Sequence, residues 1–268
     1  MWDIGFMAWR IGEILDLDAQ IDWIRDSGFD AVSFHASSGF PGRWRGVDPS
    51  STTPAERRLL RDKLSGFTIC EVHAPFNCEL IPDKLPFVLD QLAPIIRFAG
   101  EIGASILTIH GDPPSTEGDI ESWQRALDRL DAMANESGVI LGLELMSGFE
   151  RLNAQRRANI GVTLDVGHMY LNEGAGYRPY GTIGGLVRAL GEMIVHLHVH
   201  DYDGVHDHVE VGTGRVDFDD LLSGLASVGY KGALCLELNP DLVSPEGIRR
   251  SMGWLRCRME NLMRRSSS

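Results

Sequence analysis

Hydrophobic residues along this chain fall into two alternating rhythms. Short apolar runs of strand length occur at about residues 3–8, 29–35, 67–74, 104–110, 139–146, 160–166, 194–200 and 232–239. Between them stand stretches with apolar positions every three or four residues, at about 17–27, 54–65, 84–102, 121–137, 148–157, 181–192, 217–228 and 244–264. In the fourth of these, Trp123, Leu127, Leu130 and Met133 mark one face of a helix, with polar residues between them. Glycine closes several stretches, at Gly28, Gly66, Gly103, Gly138 and Gly229, as suits a left-handed residue that ends a helix. Eight strand–helix alternations without a proline- or serine-rich linker predict one α/β domain over residues 1–268, a single (β/α)8 TIM barrel. The competing layout is a doubly wound open sheet, whose one fingerprint-like feature, Gly212-Thr213-Gly214, precedes no suitable phosphate-binding helix. No internal repeat or low-complexity segment stands out beyond the serine run Ser266–Ser268.

Within the later strands the pattern has period two. Leu234, Leu236 and Leu238 alternate with Ala233, Cys235 and Glu237; Leu141, Leu143 and Leu145 with Ile140, Gly142 and Glu144. Val162 and Leu164 alternate with Thr163 and Asp165, and Leu107 and Ile109 with Ile106, Thr108 and His110. Aliphatic residues therefore face the surrounding helices and polar ones face the barrel interior. The inward set is His73, His110, Glu144, Asp165, His198 and Glu237, placed near the strand ends where barrel enzymes build their sites.

Composition narrows the class. With 43% hydrophobic and 24% charged residues, the chain is an ordinary soluble globular protein rather than a disordered or fibrous one. No apolar run approaches the roughly 18 residues of a membrane helix, and no basic region or small-residue cleavage site marks a signal peptide after Met1. Cys70, Cys78, Cys235 and Cys257 are too scattered for a zinc knuckle, a redox Cys-x-x-Cys or a disulfide scaffold, so a reducing cytoplasm is the expected location. The net charge of −13 disfavours non-specific nucleic-acid binding. Arg249, Arg250, Arg256, Arg258, Arg264 and Arg265 all fall in the last helix, which leaves the remainder more acidic still. Association into a homo-oligomer is left open.

Three carboxylates converging inside a barrel repel one another and lose hydration, at a cost of several kcal/mol each. Pairing with Arg or Lys would relieve any one of them, but these strands offer almost no basic residue. A divalent cation relieves all three, and mixed carboxylate–imidazole ligation suits Mn or Zn first, with Co, Fe or Mg as alternatives. Of the nine histidines, all but His35 fall at strand ends or in the loops just after them. His196, His198 and His200 share one strand face; not all three can reach one metal, and His196 reads as a satisfied interior residue. His206 and His208 follow, and Gly212 and Gly214 permit a tight turn that returns one of them over the site. Trp9, Phe40, Trp44, Phe76, Tyr170 and Tyr202 are candidate mouth aromatics, and Arg10, Arg43, Arg45, Arg178 and Arg215 candidate phosphate contacts.

Four segments in order carry a resemblance: Leu164-Asp165-Val166-Gly167-His168, His196-Leu197-His198-Val199-His200-Asp201, Asp207-His208 with Gly212-Thr213-Gly214, and Leu236-Glu237-Leu238-Asn239. From about Asp3 to Glu260 the chain resembles the xylose isomerase-like barrel superfamily, which holds sugar and sugar-phosphate isomerases and epimerases as well as endonuclease IV, the abasic-site nuclease. The resemblance implies that Glu144, Asp165, His198 and Glu237 match the four metal ligands of keto-sugar 3-epimerases. It also implies that the two glutamates move the proton while His168 contacts substrate. The nuclease branch uses three zinc ions, and His73, His110, His168 and His208 match its additional ligands. Where that branch has an aspartate, this chain has His206. The expected activity is metal-dependent isomerisation or epimerisation of a small sugar, polyol or sugar phosphate, with Glu144 and Glu237 as the proton-transfer pair and His168 beside them. The alternative is an endonuclease IV-like multi-zinc hydrolase acting on abasic DNA. A binding module without turnover ranks below both, since it would leave the glutamate pair without a role.

Overall fold

The computed structural model describes residues 1–266; the last two residues of the Ser266–Ser268 run lie outside it. Eight parallel strands close into one barrel in chain order: β1 Ile4–Met7, β2 Ala31–His35, β3 Ile69–His73, β4 Ile106–His110, β5 Ile140–Glu144, β6 Ile160–Asp165, β7 Ile194–Val199 and β8 Leu234–Leu236, with β8 pairing back onto β1. The helices are α1 Leu17–Asp26, α2 Pro54–Leu64, α3 Leu85–Glu101, α4 Glu117–Ser137, α5 Phe149–Asn153, α6 Leu171–Gly174, α7 Ile183–Leu190, α8 Phe218–Val228 and α9 Pro245–Ser266. Each predicted strand and each predicted helix has its counterpart.

Local chemistry sets the boundaries. The Thr53 hydroxyl accepts from the Glu56 amide while Glu56 reaches back to the Thr53 amide, with Pro54 opening α2. Asp16, Thr116, Thr182 and Asp217 cap α1, α4, α7 and α8 in the same way, each accepting a first-turn amide. Gly138 and Gly229, both at φ 68°, end α4 and α8 in the left-handed conformation. The helix expected over 148–157 is shorter than its pattern: α5 buries Phe149 and Leu152 and then stops, because the residues from Asn153 to Arg156 are exposed and give a further turn nothing apolar to bury. Between β6 and α7 the chain adds the short α6, which the periodicity did not mark.

The strand alternation is realised in the packing. Val72, Leu107, Leu141, Leu143, Leu164 and Leu197 are completely buried beneath the helices. Ser33, Glu71, Thr108, Thr163, His196 and His198 are buried on the inner side, and the Thr108 and Thr163 hydroxyls meet over Gly142 of the intervening β5 at 2.9 Å. Register then fixes neighbours at the mouth: His35 beside His73, His110 beside Glu144, and Asp165 beside His198. No helix among the described residues is long and apolar enough to cross a membrane. The four cysteines are free, with Cys70, Cys78 and Cys235 buried.

Candidate metal centre

The strand ends bring six of the expected inward residues into one cluster around His198. Its Nδ1 lies 3.0 Å from Glu237 Oε2 and 3.3 Å from Glu144 Oε2. Glu144 Oε2 also sits 3.3 Å from His73 Nε2 and 3.7 Å from His110 Nε2, while its Oε1 faces His168 Nδ1 at 3.3 Å. Asp165 Oδ2 is 3.2 Å from the same His168 nitrogen. The second Asp165 oxygen is occupied: it accepts the His168 amide at 2.8 Å and lies 2.8 Å from His200 Nε2. These ion pairs are all between carboxylates and imidazoles, as the shortage of basic residues on the strands implies.

Ligating atoms of Asp165, His198 and Glu237 lie close enough together to hold one ion, as do those of His73, Glu144 and His198. His198 belongs to both sets, and to a further one with Glu71 and His196; its Nδ1 is the atom that meets Glu144 and Glu237. A fourth set, Asp165, His168, His200 and His208, adjoins them. Asp165 Oδ2, His198 Nδ1 and His168 Nδ1 are buried and lack a hydrogen-bond partner. Buried atoms of this kind are costly unless something else satisfies them. Unpaired carboxylate and imidazole donors facing one another fit a divalent cation, and separations near 3 Å are those expected between ligands about 2.0–2.3 Å from a common ion.

The electrostatics agree with that fit. Burial alone would depress the His198 pKa, but the carboxylates of Glu71, Glu237 and Glu144 outweigh it and hold the imidazole well above its ordinary value. Burial would likewise raise Glu144 and Glu237, yet the neighbouring imidazoles hold both below the ordinary carboxylate range: His110 first among those beside Glu144, His198 beside Glu237. His168 is pushed up to about 10, as Asp165 and Glu144 overcome the effect of burial. His35 goes the other way, to about 3, through burial and the nearby His73.

The loop after β7 divides its two histidines. His208, at φ 51°, folds inward: its ring centroid is 3.9 Å from that of His200 and 5.1 Å from that of His168, and its Nδ1 is 2.9 Å from the Glu237 carbonyl oxygen. His206 is exposed and lies against Asp203 at 3.3 Å, apart from the cluster. It is Asp207 that approaches His168, at 3.7 Å. The turn is held by buried Asp201, which accepts the amides of Gly212, Gly214 and Val216.

Three residues complete the centre beyond the expected set. His35, set apart in the sequence pattern, ends β2 with its ring centroid 4.7 Å from His73, and the Trp9 indole donates to its Nε2. His200 holds Asp165 from behind, and only glycine at 167 allows this, because a methyl group there would collide with the His200 ring. Glu71, fully buried, contacts Ser33, His196 and His198. Period two does mark Glu71 and His35, since they share a strand face with His73 and Ser33 respectively.

Beside the cluster a hollow of about 260 Å³ opens between the loops after β1, β2, β3 and β8, lined by Trp9, Phe40, Trp44, Phe76, Arg10 and Asp241 among others. Arg10 and Arg43 both pair with Asp241, at 2.5 and 3.1 Å. Tyr170 instead packs on Tyr177, and Arg178 pairs with Glu173; neither these residues nor Tyr202, Arg45 and Arg215 line the hollow.

A family model described as xylose isomerase-like TIM barrel matches residues 21–257. A ketose 3-epimerase from Arthrobacter globiformis is 26% identical over 251 residues, 85% of this chain and 81% of that protein. An uncharacterised protein from Methanocaldococcus jannaschii is 26% identical over 190 residues, 62% of this chain and 63% of that one, so the chain spans less than two thirds of it. Among solved structures, a xylose isomerase domain protein from Planctomyces limnophilus superposes with a TM-score of 0.78 at 19% identity, covering 98% of each chain.

Proposed function

The chain belongs to the xylose isomerase-like TIM-barrel family, and we propose that within it the protein is a divalent-metal-dependent sugar epimerase or isomerase acting on a ketose. One observation carries this reading: Glu144 and Glu237, from strands on opposite arcs of the barrel, reach the same His198 nitrogen at 3.3 and 3.0 Å. Similarity to a ketose 3-epimerase over most of both chains supports the substrate class.

Glu144, Asp165, His198 and Glu237 would hold the cation, with Mn or Zn the best match to two kinds of donor. When bound, it supplies Lewis-acid polarisation of the carbonyl and the adjacent hydroxyl, which acidifies the carbon-bound proton between them. The chain supplies the rest. One glutamate accepts the proton on one face of the sugar carbon, and the other, carrying a proton, returns one on the opposite face. Each turnover leaves the protonation states of the pair reversed; exchange with water resets them, so the returned proton comes from a carboxyl group that equilibrates with water. His168, charged through Asp165 and Glu144, is placed to donate to a sugar hydroxyl. The aromatic hollow offers Trp9 and Trp44 as faces against which a sugar ring can stack. A screen of ketoses, polyols and their phosphates, with and without added Mn²⁺ or Zn²⁺, tests this. The expected result is metal-dependent interconversion of a ketose pair.

A second reading, multi-zinc hydrolysis of abasic DNA, draws on His73 and His110 against Glu144 and on His168 and His208 beside Asp165. The outward position of His206 and the charge of −13 weigh against it. One metal equivalent per chain favours the epimerase. Three equivalents, with abasic-site cleavage that depends on His73 and His110 and no sugar turned over, would favour the nuclease.

A further inference from the structure

Glu71 lies on β3 two residues below His73, wholly buried, and has no part in the proton transfer. Its Oε1 is 2.9 Å from His198 Nε2. Its Oε2 is 3.0 Å from His196 Nε2 and accepts the Ser33 hydroxyl. The three groups on this carboxylate are therefore two imidazoles and a hydroxyl, and no Lys or Arg among the described residues pairs with it. A carboxylate is retained in a barrel interior only where its oxygens are filled, and here both are.

The consequence falls on His198. Its two ring nitrogens see different surroundings: Nε2 meets Glu71, while Nδ1 meets Glu144 and Glu237. A neutral imidazole has one ring proton, and the nitrogen without it is the one that can ligate a metal. We propose that Glu71 is a positioning residue for the metal centre, holding the ring proton of His198 on Nε2 so that the Nδ1 lone pair points at the cation. By accepting that proton the carboxylate also strengthens Nδ1 as a donor, the usual role of a carboxylate behind a metal-bound histidine. Ser33 and His196 fix the carboxylate in turn, so the chain of contacts runs from β2 through β3 to β7. The inference rests on the metal reading of Glu144, Asp165, His198 and Glu237.

The test uses Zn²⁺ alone. Affinity is measured by competition with a chromogenic chelator for the parent and for Glu71→Gln, a variant that keeps the shape and an acceptor but loses the charge. Glu71→Gln should bind Zn²⁺ about 10–100-fold more weakly, measured at a temperature where circular dichroism shows the metal-free variant folded. Nitrogen-15 spectra of the zinc-loaded parent, labelled at histidine, need no variant and should show His198 protonated at Nε2 and metal-bound at Nδ1. In Glu71→Gln the Nε2 proton should move upfield as its hydrogen bond weakens. Equal affinities within about twofold, or a parent His198 ligated through Nε2, would overturn the proposal. So would a second zinc equivalent lost with Glu71, which would make it a ligand. A parent that takes up no zinc would overturn the metal reading, and this inference with it.

Discussion

At the scale of single residues, His198 decides the behaviour of the centre. Without a cation, Glu71, Glu237 and Glu144 hold its imidazole protonated well above the ordinary pKa, against the effect of burial. A metal that uses Nδ1 must expel that proton, so apparent affinity should rise with pH. Below the raised pKa of this imidazole the expected slope is roughly tenfold per pH unit for one displaced proton, measured by chelator competition in buffers of different pH. A flat profile would remove His198 from the ligand set. His168 gives a second pH effect. Its folded-state value of about 10 lies above the ordinary 6.5, so its contribution to stability is complete below about pH 6.5 and is lost as pH rises through about 10. The unfolding temperature of the metal-free protein should fall over that window, and His168→Gln should flatten the fall. Glu144, Asp165, His198 and Glu237 are legible in the sequence because a polar residue every second position on an otherwise aliphatic strand has nowhere to point but inward; His168, in the turn after β6, is reached only through the family resemblance. Glu71 and His35 obey the strand alternation. They are harder to recognise because a residue below the mouth, or one strand away from the carboxylates, acquires its meaning only from partners on other strands.

At the scale of elements, the barrel's secondary structure follows from local signals that agree with one another: capping side chains at helix starts, glycine at helix ends, and period two on the strands. Departures arise where burial overrides pattern, as in α5, which ends once Phe149 and Leu152 are covered. The turn leaving β6 shows how an element positions chemistry. Gly167 gives the space in which His200 reaches Asp165, and Asp165 in turn receives the His168 amide. Gly167→Ala should displace the His200 ring and cost about 1–3 kcal/mol in overpacking, read by denaturant unfolding of the metal-free protein. It should also weaken metal binding, because Asp165 would lose the contact that holds its free oxygen toward the centre. Unchanged stability and affinity would show that His200 is a bystander. The loop after β7 was only half legible: glycines and histidines announce a turn over the mouth, but which imidazole turns inward depends on backbone torsion at His208 and on Asp203 engaging His206.

At the scale of the whole molecule, a closed barrel collects residues from β2 to β8 into one mouth, so histidines and carboxylates far apart in sequence become one charge-balanced cluster. Closure was foreseeable from eight alternations; the depth at which each side chain sits was not, because strand register comes from pairing around the full circle. The acidic surface suits a small neutral or lightly charged substrate at that mouth better than a polyanion. The central claim is that Glu144 and Glu237 exchange a carbon-bound proton of a ketose with water, and one measurement addresses it most directly. A ketohexose incubated in deuterium oxide with the metal-loaded protein should acquire deuterium at the carbon that is inverted or isomerised, followed by proton NMR. Glu144→Gln and Glu237→Gln should each slow that uptake by at least about 10²–10⁴-fold. Interconversion of the sugars with no deuterium in the product, or undiminished uptake in either glutamine variant, would contradict the account.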